Sequence, residues 1–399
     1  MTPVSGSTVD CAAVDFDLSS DQEALRDAAK TLLDRHANHD ALRARVGTGV
    51  VVGTLPGAGT PVEGSAPGDA PSGYDHTVWS AMSDQGWLAL EVPEEEGGLG
   101  LGMVEMAVLC EQIGRHLVAA PFLPSILALG ALLGPTARAH EATATWRDAL
   151  ADGSGVGCIA LASGRDQLVV EGRDDVVRLS GGLGPTVFAP SADVAVVVTV
   201  DAVYAVDLAS GGRPEPVPAM DRTRELGVLE FSDAPALVIG DGAAAELLVD
   251  RAVSALSAEM LGAAEQVLSM TVDYAKDRVQ FGKPIGSFQA VKHMLADALV
   301  DVEGMRSTAY YAAWCTAADD RDRSLSASMA KAWCSDASRR VMATGLQVHG
   351  GIGFTWEHDM HLFVKRAQLD QVSFGDGAFH RDRIAAMLRG RLARGQSIN

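Results

Sequence analysis

The longest amphipathic pattern in this chain ends at a sharp turn, and that junction constrains the fold more than any other feature. Leu256, Met260, Ala263, Val267, Met270 and Tyr274 recur at three- and four-residue steps, the spacing that gives a helix one buried face. Arg278 follows, where a cation suits the C-terminal end of the helix dipole. Phe281-Gly282 and Pro284 then break the helix, and a second helical pattern begins near Phe288. A guanidinium beside a tight, glycine-containing turn can clamp a phosphate with paired donors. Read locally, the same residues also describe a helix–turn–helix carrying a solvated arginine.

The rest of the chain is organised in three parts. Residues 1–15 are small and polar and read as a flexible tail. Residues 16–152 read as a helical domain. It opens at a capping box, Ser20-Asp21-Gln22-Glu23, with Leu25, Ala29, Leu32 and Leu33 as the following stripe. Within it, residues 46–73 are rich in Gly, Pro, Ala and Thr, lack any period, and read as a flexible loop. Helical patterns resume around Val78-Trp79 and at Met106, Leu109, Cys110 and Ile113. A further helical stretch spans about 124–150. The period then changes to short β-branched runs at 158–161, 167–170, 176–179 and 194–200, separated by glycine and aspartate. Residues 153–242 therefore read as a β domain, and 243–395 as helical again. Helices, then strands, then helices predict a segregated α+β fold and not a wound βαβ sheet.

Composition excludes several classes. At 399 residues, 47% hydrophobic and 21% charged, the chain can bury a sizeable core. A formal net charge of −20 argues against non-specific nucleic-acid binding and against anionic membrane surfaces. Five cysteines stand without metal-ligand spacing, so no metal is expected and the thiols read as buried and reduced. With no signal segment and no spanning apolar run, a soluble cytoplasmic protein is the expectation.

Three strings carry a resemblance. They are Arg278-Val279-Gln280-Phe281-Gly282-Lys283-Pro284-Ile285-Gly286-Ser287-Phe288-Gln289, then Gln347-Val348-His349-Gly350-Gly351-Ile352-Gly353-Phe354, then Phe374-Gly375-Asp376-Gly377-Ala378. In this order and spacing, over about the last 150 residues, the chain resembles the acyl-CoA dehydrogenase family. Gly86-Trp87, Val92-Pro93-Glu94 and Gly97-Gly98-Leu99-Gly100 add a weaker N-terminal match. The resemblance implies a helical N-terminal domain, a small β domain and a C-terminal four-helix bundle. It also implies FAD as cofactor, an acyl-CoA substrate and an electron-transferring flavoprotein as electron acceptor. A mixed pattern of retained and altered flavin contacts resembles members that work as unlike-subunit pairs in actinobacterial steroid and lipid breakdown. A homotetramer or an α2β2 heterotetramer is the implied assembly.

The same resemblance assigns site residues. Arg278, Gln280, Phe281, Phe288, Gln289, Gln347, His349, Gly350 and Gly351 match flavin-contacting positions, several of them reaching a neighbouring subunit's cofactor. Adjacent glycines let backbone N–H groups approach a pyrophosphate; they equally suit a helix C-cap. Ala378 and His380 stand where the family carries a hydroxyl and an amide, and the turn at Ser163-Gly164 departs from the usual Thr-Glu-Pro pattern. Asp376 matches the catalytic base, a position usually held by Glu; by itself, Gly375-Asp376-Gly377 reads as a polar turn. Glu259 is the alternative base, because some relatives place theirs on this helix, nearer Ala252. On its own, a glutamate inside an apolar stripe reads as exposed or as paired within the bundle. The leading expectation is FAD-dependent α,β-dehydrogenation of an acyl-CoA thioester. The alternatives are a non-catalytic partner subunit and a flavin oxidase or monooxygenase on the same fold.

Overall fold

The computed structural model describes residues 17–46, 73–162, 168–172, 175–212 and 214–396. The tail at 1–15, nearly all of the 46–73 loop and the Ser163-Gly164 turn lie outside the described residues. The N-terminal part is helical: α1 (Ser20–His36), α2 (His39–Val46), α3 (His76–Asp84), α4 (Met103–Arg115), α5 (Phe122–Leu132), α6 (Pro135–Arg138) and α7 (Thr143–Asp152). The cap of α1 is Ser19, one residue before the expected box. The Ser19 hydroxyl accepts from the Gln22 N–H at 3.3 Å, and the Gln22 side chain accepts from the Ser19 N–H at 3.0 Å. The single helix expected over 124–150 is three. Gly134-Pro135 interrupts it, because proline fixes the first turn of a new helix.

Strands follow: β1 (Gly157–Leu161), β2 (Val169–Glu171), β3 (Val176–Val187), β4 (Val194–Val198) and β5 (Ala202–Asp207), then the short helix α8 (Leu208–Gly211), β6 (Glu215–Val217) and β7 (Leu226–Asp241). They form one sheet in the order β1-β4-β5-β7-β3-β2, with β6 also paired to β7. Among the described strands only β1 and β4 run parallel. Alternation divides the strands between two cores. Val194, Val196 and Val198 of β4 face the helices, whereas Ala195 and Val197 face a separate core with Leu179, Val206 and Phe231. Both faces of β4 are buried, which explains its uninterrupted apolar run.

β7 runs straight into the long helix α9 (Gly242–Asp277), and Asp241 caps it by accepting from the Ala244 N–H at 3.0 Å. After the two-residue strands β8 (Val279–Gln280) and β9 (Lys283–Pro284) come α10 (Gln289–Ala317), α11 (Arg323–His349), α12 (Met360–Val372) and α13 (Gly377–Ala393). Helices α9, α10 and α11 pack on one another, α13 lies against α11, and α4 packs across α9 and α10. The described cysteines, Cys110, Cys158, Cys315 and Cys334, are buried and free. Among the described residues no helix is long and apolar enough to cross a membrane.

Candidate active site

Arg278 leaves α9 in an extended conformation, with its N–H still donating to the Tyr274 carbonyl at 2.9 Å. The reversal that follows uses two left-handed residues, Phe281 at φ 53° and Gly282 at φ 76°. Phe281 is thereby pushed out of the protein, 92% exposed, with only an edge contact to Phe288 at 6.1 Å. Gln280 spends its amide on the Val279 carbonyl at 2.8 Å. Among the described residues the exposed Arg278 guanidinium and Gln289 amide have no protein partner.

The second string lies at the same end of the bundle. His349, the last residue of α11, is buried and stacks on Tyr274 of α9 with ring centroids 4.6 Å apart. Its Nδ1 N–H donates to the Gly345 carbonyl at 2.8 Å. Burial holds this imidazole below its ordinary pKa, against the pull of that carbonyl. Gly350, at φ 63°, ends α11, and β-carbons built on Gly350 and Gly351 would meet nothing within 4 Å. Gln347 is exposed beside them. The turn therefore presents open backbone to solvent, next to an unpaired guanidinium, an arrangement suited to a phosphate-bearing ligand.

The third string lies elsewhere. Phe374 and Gly375 take left-handed conformations, φ 57° and 97°, and Asp376 then caps α13, accepting from the Phe379 N–H at 2.8 Å. Asp376 and Ala378 are exposed, and His380 is fully buried. The His380 Nε2 N–H donates to the Phe374 carbonyl at 3.0 Å, while burial pushes the imidazole down to about 4. Gly377 abuts Ala332 and Asp336 in the first half of α11. From Ala332 to His349 along that helix is about 26 Å at ~1.5 Å rise per residue. The structure thus brings the first two strings together and holds Asp376 apart from both.

Glu259 is fully buried and paired. It accepts from Arg366 at 2.7 Å and from Arg224, and Arg366 also donates to Asp221 at 2.7 Å and to Thr223. Arg224 lies 3.3 Å from Asp370, completing a buried cluster of three carboxylates and two guanidiniums between α9, α12 and the segment before β7. Burial pushes the Asp370 carboxyl up to about 7, with Arg224 opposing and Glu259 adding to the rise. The paired alternative is thus the one the structure gives Glu259. A buried lysine, Lys331, sits beside this cluster. The only sequence signal for the cluster was a glutamate in an apolar stripe, which needs a cationic partner somewhere.

Comparisons with known proteins identify the family. Family models describing the acyl-CoA dehydrogenase C-terminal domain and N-terminal domain match residues 241–388 and 65–140. The chain is 35% identical over 348 residues to acyl-CoA dehydrogenase IpdE2 of Mycobacterium tuberculosis, covering 87% of this chain and 91% of that protein. It is 32% identical to acyl-CoA dehydrogenase FadE27 of the same organism, over 79% of this chain and 88% of that protein. Among solved structures, the ChsE4-ChsE5 complex from Mycobacterium tuberculosis superposes with a TM-score of 0.81 at 27% identity, covering 94% of this chain and 99% of that one. A variant of the Tcur3481-Tcur3483 steroid ACAD gives a TM-score of 0.77 at 27% identity, with the same coverage. A chain that shares these sequences and this architecture over nearly its whole length is an oxidoreductase of the acyl-CoA dehydrogenase family.

Proposed function

We propose that this chain carries out FAD-dependent α,β-dehydrogenation of an acyl-CoA thioester inside an assembly in which two chains complete each flavin site. The observation that carries this reading is the separation of its motifs. Arg278, Gln289 and the Gly350-Gly351 turn stand exposed at one end of the bundle, about 26 Å along α11 from the Asp376 turn. Each end is half a site, so the arrangement suits a cofactor shared with a neighbour. The residues fit such a group: an unpaired guanidinium, an unpaired amide and glycines with open space before them match a pyrophosphate. Phe281 and Phe288 offer aromatic surface beside them.

In this reading Asp376 removes the α-proton of the thioester. Its Oδ1 is fixed by the Phe379 N–H, which leaves Oδ2 to accept the proton. Substrate lying over the turn would exclude the water that now reaches the carboxylate. Bound FAD would supply the acceptor for the β-hydride and pass the electrons to an electron-transferring flavoprotein. A bulky steroid-derived thioester is the favoured substrate class, because a solved neighbour is described as a steroid ACAD. A second reading rests on the exposure of Asp376 and the locked state of Glu259. With no enclosed carboxylate among the described residues free to act as base, the chain would serve as the supporting subunit of a heteromeric pair.

Asp376→Asn tests the first reading cleanly. Asparagine still caps a helix, so α13 keeps its start while the proton acceptor is lost. Anaerobic bleaching of flavin absorbance is followed with butyryl-, isobutyryl-, octanoyl- and steroid side-chain CoA thioesters, with and without candidate partner chains. The rate should fall at least ~10²-fold in the variant. An unchanged rate in Asp376→Asn, with activity that depends on a partner's carboxylate, would establish the supporting role instead.

A further inference from the structure

Lys331 of α11 is a fully buried cation that belongs to no ion pair of the cluster beside it. Its ammonium donates to backbone carbonyls: Asp370 at 3.0 Å, Gln371 at 2.9 Å and Gly375 at 3.0 Å. The Ser335 hydroxyl lies 3.1 Å away, one turn further along α11. Asp370 and Gln371 are in the last turn of α12, where carbonyls have no helical donor. Gly375 is the residue before Asp376. One ammonium therefore ties the end of α12 to the start of α13, and the loop between them has little freedom left.

A second donor acts on the same loop. The His380 Nε2 N–H holds the Phe374 carbonyl, so the two residues before Asp376 are each fixed by a buried side chain. Both are left-handed, a conformation that costs energy at Phe374 and needs outside support. A β-carbon on Gly375 would lie 2.4 Å from the Phe379 ring, and its φ is 97°, so the position calls for glycine. Burying a lysine only to satisfy carbonyls is expensive. The same carbonyls could have been left to water at a bundle edge.

We propose that Lys331 is a positioning residue for Asp376: it fixes the 373–376 turn so that the carboxylate meets the thioester in one orientation. The inference rests on Asp376 being the proton acceptor. The groups facing the ammonium are Asp370 from α12, Asp376 and His380 from α13, and Cys334 on its own helix. Burial lowers the lysine to about 8, with Asp370, Cys334 and Asp376 opposing the shift. Above that pH the buried amine is neutral and keeps two N–H donors for the carbonyls it now serves, whereas a lysine released into water stays charged to about 10.5, so opening the loop takes up a proton and becomes harder as pH rises.

The test combines local hydrogen exchange with flavin reduction. In the wild-type holoenzyme, protection of the 374–379 amides, corrected for intrinsic exchange, should rise between pH 7 and 9.5 while α9 and α10 change little. Lys331→Met should lower that protection at least ~10-fold at pH 7 and abolish its pH dependence. Lys331→Arg, which keeps a cation, should recover part of the protection. With whichever panel thioester bleaches the wild-type flavin, Lys331→Met should slow reduction at saturation with little change in half-saturating concentration. It should add nothing to Asp376→Asn. If Lys331→Met does not fold, the wild-type pH profile alone decides. Unchanged or falling local protection in wild type across that range, or a gain spread evenly over the bundle, overturns the proposal. Normal reduction in Asp376→Asn with the local exchange effect intact would overturn the base assignment and leave the loop anchor standing.

Discussion

Gly114 of α4 and Gly262 of α9 meet at a single helix crossing, each lying flat against the opposite backbone. A β-carbon on Gly114 would sit 1.9 Å from the Glu259 carbonyl oxygen, and one on Gly262 would sit 1.8 Å from that of Glu111. Neither obstacle is a side chain that can swing away. Gly114→Ala or Gly262→Ala must push the helices apart, and should cost about 1–3 kcal/mol or more. Gly351→Ala, into open space and without a left-handed backbone, should change stability by less than ~0.5 kcal/mol. Thermal unfolding of the three variants checks the contrast; equal melting temperatures would mean the crossing is looser than described.

Glu259→Gln should act on stability. The amide leaves the guanidiniums of Arg224 and Arg366 short of a buried counter-charge, with only Asp221 and Asp370 remaining. Breaking such a network by removing one partner costs about 3 kcal/mol or more. Denaturant titration should show a lower midpoint with the slope retained. A near-wild-type midpoint combined with loss of flavin reduction would return Glu259 to the list of candidate bases.

Acid should weaken the fold through its histidines. Burial holds His361 and His380 at about 4, with Lys365 adding to the shift at His361. Unfolded histidines take up protons near 6.5, so between about 6.5 and 4 the unfolded chain binds more protons. Their contribution is complete above that window and is lost as pH falls through it. Asp370, raised to about 7, has the opposite sign: its contribution is present in acid and is lost as pH rises through 7. Melting temperature against pH, for wild type and for His380→Phe, isolates the imidazole. The variant should show a shallower decline from pH 6.5 to 4, and parallel curves would show that His380 titrates normally.

Arg278→Ala should separate cofactor retention from folding. The guanidinium has no protein partner among the described residues, so the flavin-free protein should melt as wild type does. Losing one charge-assisted phosphate contact should cost about 1.5–3 kcal/mol of FAD affinity, read as flavin released on dilution. Retention of stoichiometric FAD by an isolated wild-type monomer would contradict the shared-site reading.

Local chemistry made much of the architecture readable. The period of α9, the aspartate that starts it and the glycine and proline that follow it are signals within a few residues of their effect. The valine run of β4 and the return of helices after Asp241 are of the same kind. The misreadings were also local. Ser19 and Ser20 offer the same hydroxyl, and only the partner at Gln22 decides between them. What the sequence concealed was pairing at a distance. Arg366 joins Asp221 and Glu259 across 145 and 107 positions, and Lys331 meets carbonyls about forty residues on. Nothing in the composition around Lys331 distinguishes it from a surface lysine, because its acceptors are backbone atoms.

The two-sided burial of β4 has a consequence for anyone who cuts this protein into pieces. Val194, Val196 and Val198 face the helical core, with α5 packed on β4 and α9 packed on the neighbouring β5, while Ala195 and Val197 close the small core on the other face. Expressed alone, the strand-rich segment would keep the second contact and lose the first. It would display a valine ladder beside the β1 edge, a ready template for intermolecular strand pairing. The excised segment should therefore form aggregates and not a soluble miniature, and grafting it onto a distant relative requires bringing α5 and the start of α9 along as one unit.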